Sequence, residues 1–208
     1  MQLEKEQAVS RERNRIAQGI HDDIGSTVSS ISIMSDLVLK SVNGDKQSAM
    51  ISNIRETSIS LMEKIDDLVW SIHPGNDSLF NLLVRIREIA IVLFEAKGID
   101  YEIELPETID SFYISIEHRQ HIYLILKEAI NNIVRHSKAT KARIEISLLN
   151  ENLSILISDN GKGFNKAQVS DRNGIKNMNN RAAEINGTIK IDSDADCGTI
   201  ILLTVKIK

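Results

Sequence analysis

Apolar residues along the first seventy positions recur at helical spacing. Ile16, Ile20, Ile24, Val28, Ile31 and Val38 follow one another at steps of three, four or seven. Asn43-Gly44-Asp45 then supplies a turn signal. Beyond it Ile51, Ile54, Ser58, Leu61, Ile65, Leu68 and Ile72 alternate steps of three and four, a heptad-like seam with one polar slip at Ser58. The pattern predicts two long antiparallel helices, the second stopped by Pro74. Two narrow seams cannot close a core within one hairpin. Two hairpins joined as a dimeric four-helix bundle satisfy both seams. A hairpin packed on its own C-terminal region is the alternative.

After Pro74 the period mixes. Leu79–Ala96 and Ile116–Arg135 have the spacing of helices, while Asp100–Leu105 and Ser111–Ile114 are short strand candidates. Ala142, Ile144, Ile146 and Leu148 alternate with polar residues, as do Leu153, Ile155 and Ile157, which predicts two neighbouring strands. Ile175, Met178, Ala182 and Ile185 form another helical stripe, and Gly187–Asp192 and Thr199–Ile207 close the chain with two strands. Clustered strands with interposed helices predict an α/β sandwich, sheet on one side and helices on the other. The whole is therefore α+β: a helical region over residues 1–74, a linker at 75–77 and a sandwich domain at 78–208.

Composition narrows the partners. Of 208 residues, 25 are basic and 29 acidic, and only 4% are aromatic, so no broad basic, stacking surface for nucleic acid is expected. The longest apolar run, Ile89–Phe94, is far short of the ~20 residues that span a bilayer, so this segment should make no membrane contact. Met1–Arg15 is charged and unlike a signal peptide. It has the character of the tail of an incoming helix, which would make the chain the cytoplasmic portion of a larger, membrane-anchored receptor. A single cysteine, Cys197, fits a reducing compartment such as the cytoplasm.

Four local signals in the second region point to a nucleotide. On helix Ile116–Arg135, residues Glu128, Asn132 and Arg135 are spaced four and three apart and so share a face, away from the apolar stripe of Ile122, Leu126, Ala129 and Ile133. A carboxylate, an amide and a guanidinium so aligned suit a hydrated Mg²⁺ and adjoining phosphates, because Mg²⁺ takes oxygen ligands and keeps waters. An ordinary solvated face would look the same. Strand Leu153–Ser158 runs into Asp159-Asn160-Gly161-Lys162-Gly163, an acceptor followed by backbone that can approach a flat ligand. Asn173-Gly174 precedes a helix, where phosphate can meet an N terminus. Gly198-Thr199 enters the last strand, with a hydroxyl placed to back Asp159.

One residue of the first helix stands out. His21 is the only histidine in either predicted long helix before His73. Ile20 and Ile24 lie on the seam, so His21, turned by about 100°, falls on the flank between the small residues Ala17 and Gly25. An exposed neutral imidazole can attack a γ-phosphoryl group. Asp22 is a candidate to orient the ring or take its proton, and Asp23 is an alternative that spacing does not exclude.

Two resemblances bring these signals together. Glu128-Ala129-Ile130-Asn131-Asn132-Ile133-Val134-Arg135-His136 resembles the N box of the ATPase family shared by gyrase, MutL and histidine kinases, with Asp159–Gly163 like its G1 box and Gly174 and Gly198-Thr199 like its later glycine boxes. The resemblance implies a Bergerat sandwich that binds ATP with Mg²⁺. It places Asn132 on the metal, Asp159 on the adenine amino group, and Glu128, Arg135 and His136 near the phosphates, with Asn131 also in the nucleotide site. Gly161, Lys162, Gly163 and Gly174 would complete the nucleotide site, and Thr199 would support the base pocket. One departure is Arg172-Asn173-Gly174, which keeps a single glycine where the family often has two; Asn165–Asn173 would form a short lid.

The segment Arg13 to Asp22 resembles the phosphoacceptor motif R-x-R-I-A-x-x-[LI]-H-D of bacterial sensor histidine kinases, in the subfamily paired with LuxR- and NarL-type response regulators. Arg13, Arg15, Ile16, Ala17, Ile20, His21 and Asp22 match it, and the likeness continues through Asp66–Pro74 into the nucleotide boxes. It implies a homodimer that phosphorylates His21 from ATP and passes the group to an aspartate on a response regulator receiver domain. Ser26, where phosphatase-competent members often carry glutamine, argues against phosphate removal by that route. Gly19, mid-helix, departs from the family pattern. Two other functions fit the same boxes: a nucleotide-binding scaffold without phosphotransfer, and an ATP hydrolase using Glu128 to activate water.

Overall fold

The computed structural model describes residues 27–28, 30–31, 33–38, 44–72, 76, 78–106, 112–165 and 173–207. The chain divides into two compact units, Met1–Ser71 and Ile72–Lys208. His21 and Asp22 lie outside the described residues, as do residues 166–172 of the expected lid.

The described part of the first unit is helical. The described residues between 27 and 38 are all helical, and helix α1 spans Gly44–Ile72 over 29 residues. The Gln47 side-chain amide donates to the carbonyl of Val38, linking the two stretches. The polar slip in the seam is satisfied inside the helix, with Ser58 Oγ donating to the Ile54 carbonyl at 2.7 Å. Ile54 and Leu61 are half-buried, whereas Ile51, Met62, Ile65 and Val69 remain exposed. Among the described residues no helix is long and apolar enough to cross a membrane.

The second unit is a five-stranded mixed sheet with helices. Its elements in order are α2 (Leu79–Lys97), β1 (Asp100–Glu104), α3 (Ile116–Asn132), a π-turn (Ile133–Ser137), β2 (Lys141–Leu149), β3 (Asn152–Asp159), α4 (Asn173–Glu184), β4 (Thr188–Ser193) and β5 (Thr199–Lys206). The strand order is β1-β2-β3-β5-β4; β1 pairs parallel with β2 and every other pair is antiparallel. Alternation of burial along β2, β3 and β5 puts Ile144, Ile146, Leu153, Ile155, Ile157, Ile201, Leu203 and Val205 in the core. They share it with Leu82, Leu83, Ile86 and Phe94 of α2 and Ile122, Ile125, Leu126 and Ile130 of α3. Each long helix starts at a serine cap: Ser78 accepts from the Asn81 amide and Ser115 from the His118 amide. α2 ends at Gly98, whose φ of +65° only glycine adopts without strain.

Two expectations are corrected here. The strand proposed at Ser111–Ile114 is, over its described residues, a single bridge between Tyr113 and Ser78. The helix expected to run through Arg135 changes character at Ile133, where the backbone opens into the π-turn.

Candidate nucleotide-binding site

The π-turn decides which side chains of the N-box segment meet. Glu128 and Asn132 are one turn apart on α3, and the Asn132 amide nitrogen donates to Glu128 Oε1 at 3.5 Å. In a continuous α-helix Arg135 would follow on the same face. A π-turn adds one residue to the turn, so each later side chain lags by about one helical step of roughly 100°. His136, four residues after Asn132 and on its face in either case, stays there, while Arg135 is turned away. The cavity wall contains Glu128, Asn132 and His136 but neither Arg135 nor Asn131. Ser137 ends the turn, buried, with its hydroxyl donating to the Ile133 carbonyl at 2.7 Å.

The loop after β3 is built by close backbone approaches. Asp159 Oδ1 accepts from the Gly161 amide at 2.8 Å, and the Lys162 amide donates to the Ser137 carbonyl at 2.8 Å. A Cβ on Gly161 would overlap that same carbonyl. Gly163 has a φ of +55°, and a Cβ there would overlap the Asp194 carbonyl; one on Gly198 would overlap that of Asp159. Three stretches of main chain thus meet where side chains cannot fit. Asn160 ties the loop to β2, its Oδ1 accepting from the amides of Thr140 and Lys141 at 2.9 Å each.

Ser193 of β4 is the knot that holds Thr199. Its hydroxyl donates to the Gly198 carbonyl at 2.8 Å and accepts from the Phe164 amide at 3.0 Å. Thr199 Oγ1 stands 3.1 Å from Ser193 Oγ; with the Ser193 proton on Gly198, Thr199 must be the donor. Thr199 sits directly opposite Asp159 in the β3–β5 register. Its hydroxyl is held by Ser193 instead of backing Asp159.

These segments enclose a cavity of about 630 Å³, within the range of small-molecule sites. Glu128, Asn132 and His136 form one wall, and Asp159, Lys162, Gly163 and Thr199 another. Gly174, in the first turn of α4, closes the Glu128 side so tightly that a Cβ would collide with Oε1. Ala129, Ile133, Phe164 and Ile175 supply apolar surface for a flat ligand. Half-burial pushes the Asp159 carboxyl above the ordinary carboxylate range, and the Gly161 amide opposes that rise. The donor set also fits a hard cation: with its nitrogen turned to Glu128, Asn132 has its amide oxygen left for a metal, beside a carboxylate.

Of the residues singled out by sequence, Glu128, Asn132, His136, Asp159, Lys162, Gly163, Gly174 and Thr199 line this cavity. Gly161 supports it from behind Asp159. Phe164, Ile175, Ser137 and Ser193 were not anticipated. The two serines carry no motif of their own. Only the pairing of Ser193 with Thr199 across β4 and β5 reveals what that residue does.

Comparison with known proteins gives the family of the chain. Residues 117–208 match the family described as histidine kinase-, DNA gyrase B- and HSP90-like ATPase, and residues 12–77 match a histidine kinase family. The chain is 30% identical over 206 residues to the sensor histidine kinase LiaS of Bacillus subtilis, covering 98% of this chain and 56% of LiaS. It is 32% identical over 206 residues to the sensor protein VraS of Staphylococcus saprophyticus, covering 93% of this chain and 55% of VraS. The chain thus spans about half the length of these relatives. The solved structure of the Acinetobacter baumannii histidine kinase AdeS shares the fold, with a TM-score of 0.60 at 15% identity over 90% of this chain and 98% of that one.

Proposed function

Given that the chain belongs to the sensor histidine kinases, we propose that it is a kinase core that phosphorylates its own His21 from ATP. The observation that carries this reading is the convergence of four separated segments, around Glu128, Asp159, Gly174 and Thr199, on one cavity of nucleotide size. We assign residues 1–74 to dimerisation and phosphoacceptance and 78–208 to ATP binding. Asp159 accepts from the adenine amino group, and Phe164, Ile133 and Ala129 cover the base. Glu128, Asn132 and His136 hold the polyphosphate end, with Asn132 the ligand to Mg²⁺. A metal held there by Asn132 would neutralise charge on the phosphates.

The neutral imidazole of His21 attacks the γ-phosphorus. A nitrogen–phosphorus bond forms, the bond from the γ-phosphorus to its bridging oxygen breaks, ADP leaves, and Asp22 takes the ring proton. The phosphoryl group next passes to an aspartate of a response regulator receiver domain. A homodimer is favoured by the stripe of Ile51, Met62, Ile65 and Val69 on α1, which stays exposed in one copy. Use of ATP and a free thiol at Cys197 accord with a cytoplasmic setting.

Incubation with Mg²⁺ and γ-labelled ATP tests the reading. Acid-labile, base-stable label should appear on the native chain and vanish in His21→Gln. Steady phosphate release without labelled protein would replace it with the hydrolase, and nucleotide binding with neither label nor release would leave the scaffold.

A further inference from the structure

Three side chains stand in one row across the sheet at the base end of the cavity. Asp159 of β3 is paired with Thr199 of β5, and Thr199 with Ser193 of β4, so the Thr199 hydroxyl lies between a carboxylate and a second hydroxyl. Side chains paired directly across strands stand about 5 Å apart at Cβ, within reach of one another. The Thr199 proton therefore has an acceptor on either side. Ser193, buried, places its own proton on the Gly198 carbonyl and accepts from the Phe164 amide, which leaves one lone pair, and Thr199 fills it. The Asp159 carboxylate accepts, among the described residues, from the Gly161 amide through Oδ1.

We propose that Ser193 is a positioning residue for base selection: by taking the Thr199 proton it keeps that proton off Asp159, and so leaves the base end of the cavity a wall of acceptors that selects a purine with an exocyclic amino group. The proposal rests on the nucleotide-binding reading above. Asp159 and Thr199 line the cavity and Ser193 does not, so Ser193 acts through Thr199. With Ser193 in place, Thr199 offers the ligand only lone pairs. Without the Ser193 hydroxyl, the Thr199 proton turns to its other neighbour in the row. The carboxylate then spends part of its accepting capacity inside the protein, and less of it is left for a ligand N–H.

The test uses the full 208-residue chain with Mg²⁺ and two ligands that differ only in the amino group, ADP and purine riboside 5′-diphosphate. Neither carries a γ-phosphate, so binding is read apart from phosphotransfer. The native chain should prefer ADP at least about tenfold, the worth of a hydrogen bond to a charged group. Ser193→Ala should cut that preference to about threefold or less, the worth of a weakened bond. Adding Thr199→Val to this variant removes the misdirected proton and should restore most of the preference, a recovery that general loosening of the pocket would not give. Ser193→Cys, which keeps a side chain of similar shape but accepts weakly, carries the same comparison where the alanine variant does not fold. An unchanged preference in the Ser193 variant, or no recovery on adding Thr199→Val, would overturn the role of Ser193. A native chain that binds both ligands alike, or neither, would overturn the nucleotide reading itself, and that result is visible before any variant is made.

Discussion

Asp159 carries a conflict between stability and binding. Burial lifts its carboxyl above the ordinary range, so its folded-state pKa exceeds the unfolded value of about 3.9. The folded state thus favours the protonated acid. That contribution is fully present below the unfolded pKa and is lost as pH rises through the raised folded one. At neutral pH the charge is a net cost to folding, one that the adenine-accepting role proposed for Asp159 would offset. Asp159→Asn should accordingly lower nucleotide affinity at least about tenfold, the worth of a charged hydrogen bond, with a melting temperature equal to or above that of the native chain. Native affinity should fall on the acid side at a pH above the usual aspartate range, and calorimetric titration across pH would show that limb flattened in the variant.

Among the elements, the glycine loop and the first turn of α4 respond differently to the same substitution. Gly163→Ala would force a left-handed residue against the Asp194 carbonyl, and main chain cannot step aside. It should destabilise the domain by about 2–4 kcal/mol, read from urea unfolding. Gly174→Ala meets only the tip of the Glu128 side chain, which can swing away. Stability should then change by no more than about 0.5 kcal/mol, while affinity for Mg²⁺-AMPPNP falls because Glu128 is displaced. Such elements were largely legible in the sequence. A sheet with one buried face writes strict alternation into β2 and β3, and helix α2 was expected at Leu79–Ala96 against the observed Leu79–Lys97. The π-turn was not legible. One extra residue in a segment five residues long leaves no mark on the sequence spacing, yet it turns Arg135 away from the cavity while His136 stays on it. The segment at Tyr113 misled because a short apolar run without alternation carries little strand signal, and its described residues pair through one bridge to Ser78.

For the whole molecule, association should reside in the helical unit. Met62, 66% exposed in one copy, lies with Ile65 and Val69 at steps of three and four. Met62→Glu should leave the monomer folded and weaken dimerisation at least about tenfold, as expected for a charge set in an apolar seam; sedimentation at micromolar concentration would detect it, and an unshifted dimer would exclude this face. The sheet offers no competing contact. Its two edges, β1 and β4, carry Glu102 and Glu104 on one side and Lys190 and Asp192 on the other, all exposed. An antiparallel or parallel copy laid along either edge would bring charges to a strand that gains only main-chain hydrogen bonds. Heat that separates the bundle would therefore release ATPase units that stay dispersed and can reassemble on cooling, where a sheet with bare apolar edges would have begun to fibrillise.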